Sequence, residues 1–141
     1  MKATTTAALL RALLWLGASM SALGAEKVRI KNVDEFAQFK DNVNNGVDYS
    51  GTTVFLESDL SLAGKTFEPI GTSSNYFSGT FDGQGHVISN LTVASSLHYV
   101  GLFGYSEGLT IKNVILDSSC SITSSRFSIY DNVYTGGIIS Y

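Results

Sequence analysis

Few residues in this chain have side chains able to do chemistry, and they are scattered. Asp82-Gly83-Gln84-Gly85-His86 puts a carboxylate and an imidazole on one short stretch, the raw material of a cation site or an acid/base pair. The stretch lacks the alternating oxygen ligands and closing Glu of an EF-type calcium loop, and Asp-Gly is itself a strong turn former, so it is read as a turn. Asp59, Glu107 and Asp117 join Asp82 as carboxylates near strand-like segments. Gathered on one outer face they would support cleavage of a polysaccharide, but nothing in their spacing gathers them. His98-Tyr99 has no HExxH, GxSxG or paired Cys/His arrangement to belong to. The single cysteine, Cys120, can build neither an internal disulfide nor a Cys-based zinc site; it is a partner for an intermolecular bridge or a small half-buried residue. No catalytic, cofactor-binding or metal-binding residue is assigned, and no cofactor is expected. Asn90-Leu91-Thr92 is an N-glycosylation sequon.

Any of these residues would be positioned by a mostly β framework. Residues 32 to 46 carry the one clear helical period: Phe36, Phe39 and Val43 fall on one face, Asn32 caps the start with Glu35 three residues on, and Asn45-Gly46 offers a left-handed stop. Short segments rich in Thr, Val, Ile, Phe and Tyr follow, separated by Gly, Ser, Asn and Asp: TTVFLE, DLSL, YFSGTFD, HVISNLTV, YVGLFGY, LTIKNVIL and VYTGGIIS. No further helix is available to cross between parallel strands, which leaves a sandwich, a barrel or a coil of strands.

Composition bounds the rest. At 141 residues the chain is one domain, and with 15% charged residues, 14 Gly and 1 Pro it is neither a disordered tail nor collagen-like. Residues 1–25, with Lys2 and Arg11 flanking a short apolar run that ends in small residues, read as a secretory signal peptide cleaved after Gly24 or Ala25. The run falls well short of the ~20 residues that span a bilayer, and no later stretch approaches that length. The remainder has 7 basic against 12 acidic residues and no basic stripe, which argues against nucleic acid as a partner.

Repeats choose among the β architectures. Gly85-His86-Val87-Ile88-Ser89-Asn90-Leu91-Thr92-Val93 aligns with Gly108-Leu109-Thr110-Ile111-Lys112-Asn113-Val114-Ile115-Leu116 at a spacing of 23 residues. Gly79-Thr80-Phe81 aligns with Gly101-Leu102-Phe103 at 22, and Gly137-Ile138-Ile139 returns 36 residues after Gly101. The alignment predicts Ile88 stacked on Ile111, Leu91 on Val114, and Asn90 over Asn113 in an inward amide ladder that would exclude a glycan. Gly79, Gly101 and Gly137 are expected where a side chain would clash with a bend. The polar stretch 117–132 is read as an insertion looping out of a coil. The predicted fold is all-β, a right-handed parallel β-helix with one short N-terminal capping helix, divided into signal peptide 1–25, strand and capping helix 26–46, and β-helix repeats 47–141.

Gly101-Leu102-Phe103-Gly104, followed by TIKNV and preceded by FSGTFDGQGHVISNLTV at 77–93, resembles the GLUG-motif repeat family of secreted and surface proteins. The segment VFLESDLSLAGKTFEPIG, 54–71, is similar to the one that leads into those repeats. The resemblance spans roughly residues 28–141 and implies a parallel β-helix, often within adhesin-like proteins or non-catalytic regions of secreted peptidases, with no catalytic activity of its own. The second motif copy departs from the pattern, with Ser140 in place of Gly, and the sequence stops within a strand. The chain is therefore expected to be a fragment of a longer repeat protein.

Function is expected to be display and adhesion from the extracellular space or cell surface, toward a protein or carbohydrate. The seven tyrosines with many Ser and Thr suit such contacts. The alternative is the non-catalytic N-terminal region of a larger secreted peptidase or polysaccharide-active enzyme. A self-contained carbohydrate-active enzyme is the third reading. If the chain is a complete protein, the open C-terminal coil is expected to be covered by a partner or by self-association.

Overall fold

A computed structural model describes residues 26–126 and 134–139. The signal peptide reading falls outside these residues, as do 127–132 of the expected insertion and Ser140.

The chain enters as strand β1 (Lys27–Ile30) and turns into helix α1 (Val33–Asn44). The helix starts where the sequence places it. Asn32 is extended and its side chain accepts from Glu35 N at 2.9 Å, which satisfies one orphan donor of the first turn, while Glu35 Oε2 accepts from Lys31 N, just before the cap, at 2.7 Å. It stops on Gly46, at φ 90°, where Gly46 N donates to Val43 O and Val47 N to Asn42 O in a Schellman pair. The buried face is Phe36, Phe39 and Val43.

Ten short strands follow: β2 (Thr53–Leu56), β3 (Leu60–Ser61), β4 (Thr80–Asp82), β5 (Val87–Ser89), β6 (Thr92–Ser95), β7 (Tyr99–Val100), β8 (Thr110–Lys112), β9 (Ile115–Leu116), β10 (Ser121–Ser124) and β11 (Tyr134–Thr135). They form four sheets, ordered β1-β2-β4-β8, β3-β5-β9, β6-β10 and β7-β11, and every strand ladder among the described residues is parallel. The protein is therefore an all-β architecture of parallel sheets with one helix.

The register differs from the sequence alignment. Ile88 pairs with Leu116, not Ile111, and Ile111 pairs instead with Phe81. Asn90 and Asn113 share a left-handed conformation, at φ 53° and 54°, yet occupy different corners: Asn90 lies between β5 and β6, Asn113 between β8 and β9. A strand–Asn–strand bend recurs at two corners, so copies 23 residues apart resemble each other without stacking, and the Leu91-on-Val114 and Asn90-on-Asn113 columns do not form. Nor does Gly79 stack on Gly101; Phe103 bridges to Ile70 and Ile139, and meets Phe81 edge-on across the core at 5.5 Å. The 36-residue correspondence holds, since Phe103 pairs with Ile139 and Leu102 N donates to Gly137 O.

Residues 117–124 are not a loop thrown out of the sheets. β10 pairs with β6, and its Ile122 packs partly buried against the core because Ser121–Ser124 alternates outward and inward as a strand does. Among the expected tight glycines, Gly79 fits: a Cβ there would lie 2.6 Å from both Thr52 O and Tyr49 O. Gly137 does not, for a Cβ there would meet nothing within 4 Å. The same is true of Gly85 and Gly108, whose φ values of 80° and 70° are what favour glycine. Gly104 is tight, with a Cβ 2.8 Å from Gly71 O. Gly101 is buried.

The core is aromatic at its centre. Phe36 stacks on Phe67 at 5.2 Å, and Phe39 meets Tyr49 and Phe77 edge-on at 5.2 and 5.3 Å, so α1 lays its apolar face onto rings from the strand-bearing half. Each such fully buried side chain contributes about 1.5–3 kcal/mol. Burial then falls along the sheets: Phe81, Ile88 and Val93 are fully buried, while their partners Ile111, Leu116 and Ile122 are only partly so.

Candidate functional site

The parallel register distributes the ionisable residues among separate places. His86 does not face Asp82 across their shared turn. Its Nδ1 lies 3.0 Å from Asp59 Oδ1, and the same oxygen accepts Val87 N at 3.0 Å. That backbone bond, then the imidazole, holds the Asp59 carboxyl below its ordinary range. Asp82, largely buried, accepts from Asn113 Nδ2 at 3.0 Å and Gln84 N at 3.0 Å, with Lys112 Nζ 3.4 Å from its other oxygen. The Asn113 bond is the main cause of its lowered pKa. Residues Asp82 to His86 thus form a structural corner, closed by Gly85 N donating to Asn113 O.

Asp117 accepts from the Ser119 hydroxyl and from Ser119 N, and both lower its pKa. Beside it Cys120 is partly buried, its thiol directed to Ile88 O at 3.3 Å. Asn90 is exposed: its Nδ2 donates to Ser61 Oγ at 3.0 Å and its N to Ser119 Oγ at 2.7 Å. The expected amide ladder with Asn113 is absent because each asparagine is engaged by a different neighbour, so the exclusion of a glycan at Asn90 falls with it.

Glu107 has a different setting. With Asp48, Ser50, Asn75, Tyr76 and Ser78 it lines an open groove of 470 Å³. The groove is assembled from the loops that precede β2, β4 and β8, three neighbours in one sheet, joined where Thr80 N donates to Thr52 O and Thr110 N to Gly79 O. Tyr76 is 37% exposed and packs edge-on against Tyr105 at 5.7 Å, and Glu107 beside it pushes its phenol pKa up. Tyr105 in turn meets Tyr99 edge-on at 5.2 Å, which places three tyrosines side by side. Asp48 accepts Ser50 N and Oγ at 2.8 and 2.9 Å, and these bonds hold its carboxyl low. Sequence reasoning misses Asp48; its one local signal is Asp48-Tyr49-Ser50, an Asp-to-backbone turn directly after the helix stop.

The four carboxylates Asp59, Asp82, Glu107 and Asp117 therefore do not meet, and among the described residues no three His, Cys, Asp or Glu side chains gather to hold a metal ion. No helix among those residues is long and apolar enough to cross a membrane. No family model, no curated protein and no solved structure matches this chain.

Proposed function

We propose that the chain is a non-catalytic, secreted or cell-surface module, a right-handed parallel β-helix of the GLUG-motif kind, that works by binding an extracellular carbohydrate or protein. The observation that carries the reading is the stacking of loops before β2, β4 and β8 into one groove that presents a tyrosine, hydroxyls and carboxylates together. A parallel β-helix would generate such a surface as a matter of course, since each coil repeats its corners over those of the last. The parallel ladders of all four sheets support that architecture. The falling burial from Phe81 to Ile111 and from Ile88 to Leu116 favours further coils beyond β8–β11, in a longer adhesin-like protein or ahead of a secreted peptidase or polysaccharide-active domain. A second copy docked at the same edge would cover it equally.

The test is a glycan and extracellular-protein array probed with the purified chain, beside a polysaccharide degradation assay with and without calcium. Saturable binding without cleavage is expected. Cleavage, or no binding to any member, would remove the reading.

A further inference from the structure

We propose that the groove beside Tyr76 binds an amine-bearing saccharide, one unit of a polymer whose sugars carry free ammonium groups. The assignment rests on the binding-module reading and names the ligand class of that same groove.

Three features of the lining converge on this chemistry. First, Tyr76 is a partly exposed ring held in place by the edge of Tyr105. A fixed aromatic ring loses little freedom when a sugar's C–H-rich face lies against it. Second, Ser78 supplies a hydroxyl, and Ser50 and Asn75, whose Oγ and Nδ2 already donate to Asp48 and to Asn44 O, supply acceptor oxygens for ring hydroxyls. Third, Asp48 and Glu107 bring two carboxylates, while no Lys, Arg or His lines the groove. An anionic glycan would be repelled, and a neutral one would leave both carboxylates without a counter-charge. An ammonium group on the sugar ring meets them through charge-assisted hydrogen bonds.

Other cations fit less well. Calcium takes 6–8 oxygen ligands, which two carboxylates and a few hydroxyls on an open groove do not supply. A lysine side chain presents its ammonium on an aliphatic stem and brings no hydroxyls to the serine and asparagine oxygens of the lining. The groove volume of 470 Å³ lies in the range of small-ligand sites, about 300–1,000 Å³. Its walls come from the loops that lead into neighbouring strands, roughly 4.8 Å apart in a sheet, so its lining is spread across the strand direction as a chain-like ligand would need.

The experiment is calorimetric titration of the full chain with the glucosamine tetramer, against its fully N-acetylated counterpart and tetralysine, for the native protein and for Glu107→Gln and Tyr76→Ala. Glu107 is exposed, so Glu107→Gln removes charge without disturbing the core. The glucosamine tetramer is expected to bind at least ten-fold more tightly than either control, and Glu107→Gln to weaken it about ten-fold. Equal affinity for the acetylated tetramer or for tetralysine overturns the proposal, as does binding that neither variant alters. Binding of neutral glycans unaffected by both variants would leave the module reading standing while the groove assignment falls. Failure to bind any glycan or protein would end both.

Discussion

Asn113 reaches back 31 residues to Asp82, its Nδ2 donating to the Asp82 carboxylate at 3.0 Å from a left-handed backbone at φ 54°. One residue thus makes both the bend between β8 and β9 and the bond that ties this corner to the preceding one. Asn113→Ala is expected to cost about 2 kcal/mol, from the left-handed penalty and the lost charge-assisted bond. Asn113→Gly keeps the backbone preference and is expected to cost about half of that. Urea unfolding midpoints separate the two contributions; equal losses would show that the backbone term is absent.

Stability should fall in acid. Asp48, Asp59, Asp82 and Asp117 all sit below the ordinary value of 3.8 because each accepts hydrogen bonds in the folded state. Their contribution is fully present above the unfolded value and is lost as pH drops through it toward the folded values, since the unfolded chain takes up protons first. The thermal midpoint is expected to hold from pH 7 to about pH 5 and decline below, and Asp82→Asn to flatten that decline. A midpoint that rises in acid would contradict the assignment.

Two glycines of the repeat should respond differently to alanine. At Gly79 a Cβ would press on Thr52 O and Tyr49 O, each 2.6 Å away, and both are backbone atoms that cannot swing aside. Gly79→Ala is expected to leave little folded protein, by circular dichroism. At Gly85 the space is open and only the φ of 80° resists, so Gly85→Ala is expected to cost about 1 kcal/mol and to fold.

Asn90 is exposed at its corner, and Thr92 of the sequon is exposed on β6. Secretion from a glycosylating host is expected to yield a chain heavier by one glycan, lost in Asn90→Gln. Intact-mass measurement after secretion reads this directly, and an unmodified native chain would show that the Ser61 and Ser119 contacts form first.

Local elements were legible in the sequence, and registers were not. The α1 helix could be placed to the residue because its cap, apolar face and glycine stop all act within the fifteen positions from Asn32 to Gly46. Most strand segments were visible too, down to the 36-residue return of Gly101 at Gly137, but β10 was hidden in a Ser-rich stretch whose polarity reads as a loop. The 23-residue alignment failed for a physical reason: Asn90 and Asn113 answer the same local demand, a left-handed turn between two strands, at different corners of the structure. Sequence similarity reported the bend chemistry, whereas stacking is decided by which apolar residues meet in three dimensions, Ile88 with Leu116 and Phe81 with Ile111. The groove was half legible. Glu107 stood out as a carboxylate and Tyr76 among the tyrosines, but bringing them to Asp48 required three loops far apart in the chain to stack.

The helix stop carries a chemical consequence of its own. Asn-Gly is the dipeptide most prone to deamidate, through attack of the glycine nitrogen on the asparagine side chain. In Asn45-Gly46 that nitrogen already donates to Val43 O at 3.0 Å. Ring closure to the succinimide must therefore wait for the last turn of α1 to fray, and the ageing of Asn45 becomes a slow clock for how often the helix end opens.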